Sequence, residues 1–204
     1  IVGKLRTPPD GNRPGVAYAR RAGEDQTWLV EGDVNFPIQV SDWIDRMLFD
    51  IAAARIMSAT VTPPAGPGYQ VRRADPKAEF AFTEIPKGKE PALEGLAGKI
   101  AETVALLPLD NALPASRIDF TGAAKVVHKM FDGLVLSSET VKFENRRWTR
   151  FAASFDADQA ARAAKAGLKP ALDAKAQAEA INARTSGWAF MLPGMRAADL
   201  MRDY

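Results

Sequence analysis

The chain has 204 residues, enough for one domain with a sizeable core or for two small ones. Its apolar fraction of 47% and charged fraction of 25% are typical of a globular protein. The formal net charge of +2 does not indicate a nucleic-acid-binding protein, which needs lysines and arginines clustered on one face. The absence of cysteine excludes disulfides, zinc–thiolate sites and thiol catalysis.

No stretch of the sequence approaches the roughly 18–20 apolar residues that a membrane-spanning helix needs. The chain begins at Ile1 and not at methionine, which we interpret as the start of a processed or trimmed piece. We therefore expect the gene to encode a hydrophobic signal or anchor upstream of Ile1. The lack of cysteine fits the cytoplasm and equally fits an extracytoplasmic bacterial protein.

The first part of the chain is predicted to form β structure. Val2 and Leu5 begin a strand, and residues 8–15 form a loop rich in Pro, Gly and Asn. Alternating residues on both sides of a turn predict a hairpin over residues 16–30. Ser41 is then the predicted N-cap of a short helix, whose apolar side would carry Trp43, Met47, Leu48 and Ile51.

A second group of strands follows. They are predicted at 56–61, 69–73 and 79–85, with a Pro- and Gly-rich loop at 62–68 between the first two. A helix is predicted to begin at Pro91 and to end before Pro108. Its apolar stripe consists of Leu93, Leu96, Ile100, Val104 and Leu107.

The clearest pattern covers residues 125–155, which we predict to form three antiparallel strands. Asp132-Gly133 and Glu144-Asn145 are the two turns between them. The apolar residues change parity between Leu136 and Val141, which predicts a bulge near Ser137-Ser138. The third strand is predicted to place Thr149, Phe151, Ala153 and Phe155 on one face and Trp148, Arg150, Ala152 and Ser154 on the other.

The remainder is predicted to be mostly helical. Asp156 is the N-cap of a helix that ends at Gly167. A second helix covers residues 170–184, and its apolar face is so thin (Leu172, Ala176, Ala180 and Ile181) that we expect it to lie on the surface. A strand at 187–192 and a short helix over 197–202 complete the chain.

The order of three strands followed by a helix occurs twice. We therefore predict an α+β fold of antiparallel sheets with helices packed on one side, in a single domain covering residues 1–204. The repeated order also predicts two similar βββα halves, residues 1–110 and 111–204.

Few residues suggest catalysis or metal binding. The only histidine, His128, has no carboxylate or nucleophile pattern near it, so we interpret it as structural. No G-x-S-x-G pattern is present. Converging carboxylates can bind a metal or act as acid and base, but here they occupy loops and helix starts, where acids cap helices. The acidic pairs are Glu31/Asp33, Asp42/Asp45 and Asp156/Asp158.

Glycines and arginines are the other candidates for a binding site. The stretches at 66–68 and 95–99 match neither a P-loop nor a dinucleotide fingerprint, and we interpret the glycines in 95–99 as allowing close helix packing. Adjacent arginines beside an aromatic residue can stack on a base or a sugar, but more commonly belong to a solvated sheet face or a protected strand edge. These pairs are Arg20-Arg21, Arg72-Arg73 and Arg146-Arg147, the last of which adjoins Trp148. We predict no catalytic, cofactor-binding or metal-ligating residue and no binding to nucleic acid.

Several stretches, spread over nearly the whole chain, together resemble a bacterial family known only as domain of unknown function DUF4340. They are VAYARRAGEDQTWLVEGD (16–33), DWIDRMLFDI (42–51), IMSATV (56–61), FDGLVL (131–136), RRWTRFAASF (146–155) and GWAFMLP (187–193). The resemblance implies a single extracytoplasmic domain, usually tethered by an N-terminal transmembrane helix. It also implies neighbours among ABC-transporter and gliding-motility-type membrane components. It brings no established activity and no site residues.

We therefore expect a non-enzymatic accessory or interaction domain of a membrane-anchored protein, without cofactors, on the periplasmic face of the bacterial inner membrane. Its expected partners are components of an ABC-type transport system. The alternative is a domain that binds a glycan or a lipid between its halves, and a third hypothesis is a hydrolase of unfamiliar type. A deep apolar pocket would favour the second hypothesis, and converging carboxylates in a cleft would favour the third.

Overall fold

The computed structural model describes residues 1–6, 15–32, 45–85, 88, 95–168 and 173–202. Several predicted features lie outside these ranges, namely most of the loop at 8–15 together with Asp33, Ser41, Asp42, Trp43, Pro91, Leu93 and Leu172. The chain divides into two compact units, Ile1–Ile44 and Asp45–Tyr204.

The first unit contains a three-stranded antiparallel sheet in the order β1-β2-β3. Its strands are β1 (Val2–Arg6), β2 (Val16–Ala19) and β3 (Trp28–Glu31). β2 and β3 pair antiparallel, which confirms the hairpin predicted over residues 16–30.

The second unit is built on an eight-stranded antiparallel sheet and a two-stranded one. Its strands are β4 (Met47–Phe49), β5 (Ile56–Thr62), β6 (Tyr69–Arg72), β7 (Ala81–Glu84), β8 (Leu107–Pro108), β9 (Asn111–Pro114), β10 (Ala124–Met130), β11 (Leu134–Phe143), β12 (Arg146–Phe155) and β13 (Trp188–Met191). The large sheet has the order β7-β6-β5-β10-β11-β12-β13-β9, and β4 pairs with β8. The strands predicted at 56–61, 69–73, 79–85, 125–155 and 187–192 are therefore all present.

Four α-helices are described in the second unit: α1 (Leu96–Ala101), α2 (Ala157–Lys165), α3 (Ala174–Thr185) and α4 (Gly194–Asp199). Short 3₁₀ turns cover Ala53–Arg55, Glu102–Val104 and Ala115–Arg117. The Asp156 side chain accepts a 2.9 Å hydrogen bond from the Gln159 N–H, which confirms its role as the N-cap of α2. Gly167 follows that helix with φ +76, as the predicted stop signal requires.

The main core lies on one face of the large sheet. β10 buries every second residue from Ala124 to Met130. On the same side, α1, α3 and α4 contribute Ile100, Ile181 and Ala197 to one apolar cluster. The predicted α+β fold of antiparallel sheets and packed helices is confirmed.

The bulge predicted near Ser137-Ser138 is wrong, because β11 pairs with both of its neighbours without a register shift. The change of parity arises because the two ends of β11 bury opposite faces. Leu134 and Leu136 belong to the main core, whereas Val141 packs with Trp148 in a second apolar cluster on the other face. A strand that packs one end against a core on one face and the other end against a core on the opposite face changes parity without a bulge residue.

The helix predicted from Ser41 to Ile51 is wrong over the part that is described. Met47–Phe49 form β4 instead, and Leu48 and Phe49 are both buried. Helical spacing of apolar residues could not reveal this, because the pairing partner β8 lies far along the chain.

The helix predicted over 91–107 is shorter than expected. α1 ends at Ala101, a 3₁₀ turn follows it, and Leu107 lies in β8. The predicted apolar residues Ile100, Val104 and Leu107 are nevertheless all buried. The stripe therefore identified core residues correctly but assigned too many of them to one helix.

α3 is held more firmly on the sheet than the sequence predicts. Ala174, Ala178 and Ile181 are buried, whereas Ala176 and Ala180 are exposed. The Asn182 side chain makes 2.8 Å hydrogen bonds with both the N–H and the carbonyl of Ala153 in β12. Alanines pack closely enough for these bonds to form, so a thin apolar face suffices to hold the helix on the sheet.

The two predicted halves share one sheet, because β5 pairs with β10 across the position where they were expected to divide. Their similarity stays a prediction. The last helix also begins earlier than predicted, at Gly194 and not at Ala197.

The hairpin between β10 and β11 turns at residues 131–133, and Gly133 has φ +90, as predicted. A Cβ atom at Gly133 would lie 2.5 Å from the Asp156 carbonyl oxygen and 3.1 Å from the Ala160 Cβ. Glycine is therefore required both by the backbone angle and by the close approach of the start of α2.

Gly133→Ala is expected to lower the free energy of unfolding by about 2–3 kcal/mol, since it combines left-handed backbone strain with a steric overlap. Gly122→Ala is the matched control, because Gly122 has φ +72 but a Cβ there would meet no atom within 4 Å. The control should lose only about 1 kcal/mol. Urea unfolding measures both, and equal losses would contradict the close approach.

Candidate functional site

The candidate site is the face of the large sheet opposite the main core, which we call the outer face. Strand alternation and register place a defined set of side chains on it. They are Ser58, Thr60 and Thr62 of β5; Gln70 and Arg72 of β6; Lys125, Val127 and Lys129 of β10; Val135, Ser137 and Glu139 of β11; and Arg146, Arg150, Ala152 and Ser154 of β12. Apart from Ser58, these residues are exposed or half-buried.

One end of the outer face is covered by residues 115–123. Ile118, Phe120 and Ala123 from this segment pack on Val141 and Trp148 in the second apolar cluster. None of the four described helices contributes a residue to that cluster. Within the described part of the chain, the rest of the outer face is left open to solvent.

A row of charged side chains crosses the middle of the outer face. Glu139 lies directly opposite Lys125 on one side and Arg150 on the other. The Lys125 Nζ lies 3.1 Å from the Glu139 Oε1, and the Arg150 Nε donates a 2.6 Å hydrogen bond to the Glu139 Oε2. Burial raises the pKa of Glu139, but the hydrogen bonds from Arg150 and Lys125 outweigh it and leave the pKa below its usual value.

The Arg150 guanidinium is also held by an aromatic ring, since its Cζ lies 4.4 Å from the centroid of Phe120.

Two clefts meet at this charged row. One of about 620 Å³ lies under residues 115–123, and one of about 460 Å³ lies over β10, β11 and β12. Lys125, Glu139 and Arg150 line both clefts. The arginine is thus fixed in place at the junction of two open clefts.

The sequence interpretation missed these three residues, although one signal was available. A two-residue turn at Glu144-Asn145 fixes the register of its hairpin and places Glu139 opposite Arg150. Both turn residues have positive φ, +49 and +58, as such a turn requires. The pairing with Lys125 depends on the three-residue turn at 131–133, whose length the Asp132-Gly133 dipeptide did not reveal.

His128 lies in β10 with its side chain in the main core and has no exposed surface. Neither ring nitrogen makes a hydrogen bond of good geometry with another described residue. Burial lowers the pKa of His128 from 6.5 to about 4, and the Ile100 carbonyl only partly opposes this effect. The ring is therefore neutral at physiological pH.

The acidic pairs do not converge on one site within the described residues. Asp45 accepts a hydrogen bond from the Met47 N–H, and Asp156 caps α2. Glu31 is exposed in β3, Asp158 is exposed in the first turn of α2, and Asp33 and Asp42 lie outside the described residues. The described part of the chain contains no group of three or more His, Asp or Glu side chains that could hold a metal ion.

Arg72-Arg73 divide between the two faces of the sheet. Arg72 is exposed on the outer face, whereas Arg73 is buried and donates to the carbonyls of Ile56 and Ala53. Burial lowers the pKa of Arg73, although Glu102 and Asp75 act in the opposite direction. Its guanidinium lies 4.4 Å from the centroid of Phe80 and lines a cleft of about 700 Å³ beside α1.

The remaining arginine pairs form no stacking site. Arg20 and Arg21 are exposed, and Arg21 pairs with Glu24 at 3.7 Å. Arg146 is exposed on the outer face, and its neighbour Arg147 is half-buried. Trp148 is only 5% exposed, so its ring has no free face to stack on a ligand.

The glycine stretches have local structural roles. Gly66 takes a positive φ of +88 in the loop between β5 and β6. Gly95 is the left-handed residue before α1 and not a residue within the helix, in contrast to the sequence prediction. A Cβ at Gly98 would meet nothing within 4 Å, so the predicted close packing at this glycine is wrong.

The described fold is that of an α+β domain built on an antiparallel sheet with one open face. The sequence model of a family described as "Domain of unknown function (DUF4340)" matches residues 9–119, more than half of the chain. The chain belongs to this family. The matched range includes the stretches at 16–33, 42–51 and 56–61, and those beyond residue 130 lie outside it. No curated protein and no solved structure matches the chain.

Helix length bears on membrane association. The longest described helix, α3, has 12 residues, and none of the described helices combines the length and the apolar composition needed to span a bilayer.

The fully buried His128 is expected to make the protein less stable in acid. Its folded-state pKa lies below its unfolded value, so protonation favours the unfolded chain as pH falls from 6.5 towards 4. Replacement by leucine removes this penalty. Between pH 7 and pH 5, the wild type should lose about 2 kcal/mol more unfolding free energy than His128→Leu does. Urea unfolding at both pH values measures the difference, and parallel losses would show that the imidazole is solvated.

Proposed function

We propose that this chain is a non-enzymatic accessory domain that docks a partner protein on its outer face. The observation that carries the proposal is the one-sided packing of the large sheet. α1, α3 and α4 bury their apolar residues in the main core, and none of the described helices contributes to the apolar cluster on the opposite face. Open faces of antiparallel sheets are stable in water when their side chains are polar, and they offer a broad, rigid surface to a partner.

The rigidity of this surface supports the proposal. The outer face is formed chiefly by β10, β11 and β12, which are interior strands of the sheet. Buried threonines stabilise the strands from beneath, and the hydroxyls of Thr140 and Thr149 lie 2.9 Å apart. A surface fixed in this way loses little conformational entropy on binding.

We further propose that the domain is extracytoplasmic and belongs to a membrane-anchored protein associated with an ABC-type transport system. The resemblance described above motivates this location, and the lack of cysteine is compatible with it. On this proposal, the two βββα passages are similar halves that have merged into one sheet.

The alternative is a glycan-binding domain that uses the clefts at the charged row. Sugar hydroxyls both donate and accept hydrogen bonds, and Glu139 beside Arg150 offers both partners. The cleft of about 620 Å³ also contains the polar residues Ser116, Asp119 and Thr121. A lipid is less well matched, because charged side chains line this cleft and Arg73, Glu79 and Glu102 line the cleft beside α1.

The location is tested by fusing a reporter that works only outside the cytoplasm to the C-terminus of the full-length protein in its native host. We expect this reporter to be active and a cytoplasmic reporter at the same position to be silent. The opposite result would remove the support for a transport-associated accessory domain.

The docking surface is tested with Ala152→Trp, which places a large side chain on the floor of the outer face. We expect this variant to lose partners that cross-link to the wild-type protein in native membranes. Ala180→Trp, at an exposed position of α3, is the matched control and should retain them. Loss in both variants, or in neither, would contradict docking on the outer face.

A further inference from the structure

The outer face carries more positive than negative charge. The strand residues on it include five cations, Arg72, Lys125, Lys129, Arg146 and Arg150. The described acidic residues there are Glu139 of β11, Asp119 in the segment that covers one end, and Glu84 of β7, which lies opposite Gln70. The whole chain has a formal net charge of only +2. The excess of basic residues is therefore concentrated on the one face that no described helix covers.

Internal pairing does not account for these cations. Glu139 is shared between Lys125 and Arg150, which leaves one positive charge in excess in that row. Among the residues whose side chains the structure describes, none forms an ion pair with Arg72 or Lys129. Two uncompensated cations on an open face repel each other and are available to an external anion.

Edge protection does not account for them either. Lysines and arginines commonly guard the exposed edges of a sheet against aggregation. Here the edge strands are β7 and β9, whereas these cations lie on the interior strands β6, β10 and β12. β6 and β10 are paired along both sides, so Arg72, Lys125 and Lys129 guard no free backbone groups. β12 pairs with β13 only at Trp148 and Thr149, but the backbone of Ala153 beyond that pairing is bonded by Asn182 of α3.

The cations border a floor of small side chains, part of which lines the cleft of about 460 Å³. The floor is the cross-strand row Thr60, Val127, Ser137 and Ala152. Lys125 and Arg150 lie on one side of it, and Lys129 and Arg72 lie on the other. Lys125 and Lys129 are four residues apart in one strand, so the two borders are about 13 Å apart. This width suits one polypeptide segment with its side chains.

We propose that the outer face binds an acidic polypeptide segment of the partner protein, laid on this floor between the two cationic borders. The inference rests on the proposed docking function and names the chemistry of the partner. Asp and Glu side chains of the segment pair with Arg72 and Lys129 on one border and with Lys125 and Arg150 on the other. Its small or apolar side chains contact Val127 and Ala152.

A protein segment fits this face better than a membrane surface or a nucleic acid does. Surfaces that bind membranes combine cations with protruding apolar side chains, and the large exposed apolar residues of the described chain all lie elsewhere. Single-stranded nucleic acids need exposed aromatic rings for stacking, and Phe120 is buried beneath Arg150. The cleft over Val127, Ser137 and Ala152 favours an occupant that can enter it.

The test measures binding of the 204-residue chain to a fluorescein-labelled, glutamate-rich peptide at low salt, by fluorescence anisotropy. We expect saturable binding that weakens as salt is added, because mobile ions screen exposed charges. Arg72→Glu combined with Lys129→Glu should weaken binding by about tenfold or more. Ala152→Trp should weaken it as well, by filling the floor.

Lys99→Glu combined with Lys175→Glu is the matched control, since both lysines are exposed on helices and the change in net charge is the same. The control should bind within about twofold of the wild type. Arg72→Gln with Lys129→Gln provides a milder variant if the reversal disturbs folding, which thermal unfolding detects. The neutral pair should show an intermediate loss.

Equal losses in the outer-face and helix variants would overturn the proposal, because net charge alone would then explain binding. No binding at low salt would also overturn it. Tighter binding to vesicles of anionic lipid or to a labelled oligothymidylate, lost in the same variants, would contradict the proposal and show that the outer face binds that ligand. If Ala152→Trp abolishes cross-linking in native membranes but the charge reversals do not, the docking function stands and the acidic partner is wrong.

Discussion

The buried ion pair between Arg55 and Asp132 holds the second unit together at the point where its main hairpin turns. The Arg55 Nε lies 2.7 Å from the Asp132 Oδ2, and both side chains are largely buried. Asp132 also accepts a hydrogen bond from the Leu134 N–H, and Arg55 donates a second one, of 2.7 Å, to Gln177 of α3. This ion pair therefore connects the 3₁₀ turn before β5, the turn between β10 and β11, and a helix from the C-terminal part of the chain. Removal of either charge would leave the other buried without its counter-charge, which is far more costly than the loss of a surface ion pair.

The architecture of the outer face follows from this arrangement. With the turn at residues 131–133 fixed, the register of β10 and β11 is fixed, and alternation decides which side chains face the helices. Apolar residues and His128 go to the helix side, whereas Lys125, Lys129 and Glu139 go to the other. The cationic borders and the small-residue floor are thus positioned by the same turn that organises the core, and the proposed docking surface needs no separate support.

Local turn and cap chemistry could be predicted from the sequence. Gly133, Glu144-Asn145 and Asp156 each act through contacts with near neighbours, and the structure confirms each of them. Non-local pairing could not be predicted in this way. Met47 has a spacing typical of a helix, yet it forms a strand because its partner, β8, lies much later in the chain.

The candidate site depends on non-local pairing to a greater degree. Nothing in the sequence distinguishes Lys125, Glu139 and Arg150 from other charged residues. They lie side by side only because two hairpins pair their strands. The apolar residues of β11 change to the opposite face at Val141, and from the sequence alone this change predicts a bulge. The sequence does not reveal that residues 115–123 cover that end of the sheet and bury Val141 there. The open face itself could be recognised only once the positions of the helices were known.

Cysteine accessibility measures the central claim directly, because these 204 residues contain no cysteine and a single thiol introduced into them reports on its own position. Ser137→Cys on the outer face and Ala176→Cys on the exposed side of α3 should both react rapidly with a maleimide in the isolated chain. In native membranes containing the full-length protein, the account predicts that the thiol at position 137 becomes protected while the one at position 176 stays reactive. Equal reactivity at the two positions in those membranes would contradict the claim that the outer face is the docking surface.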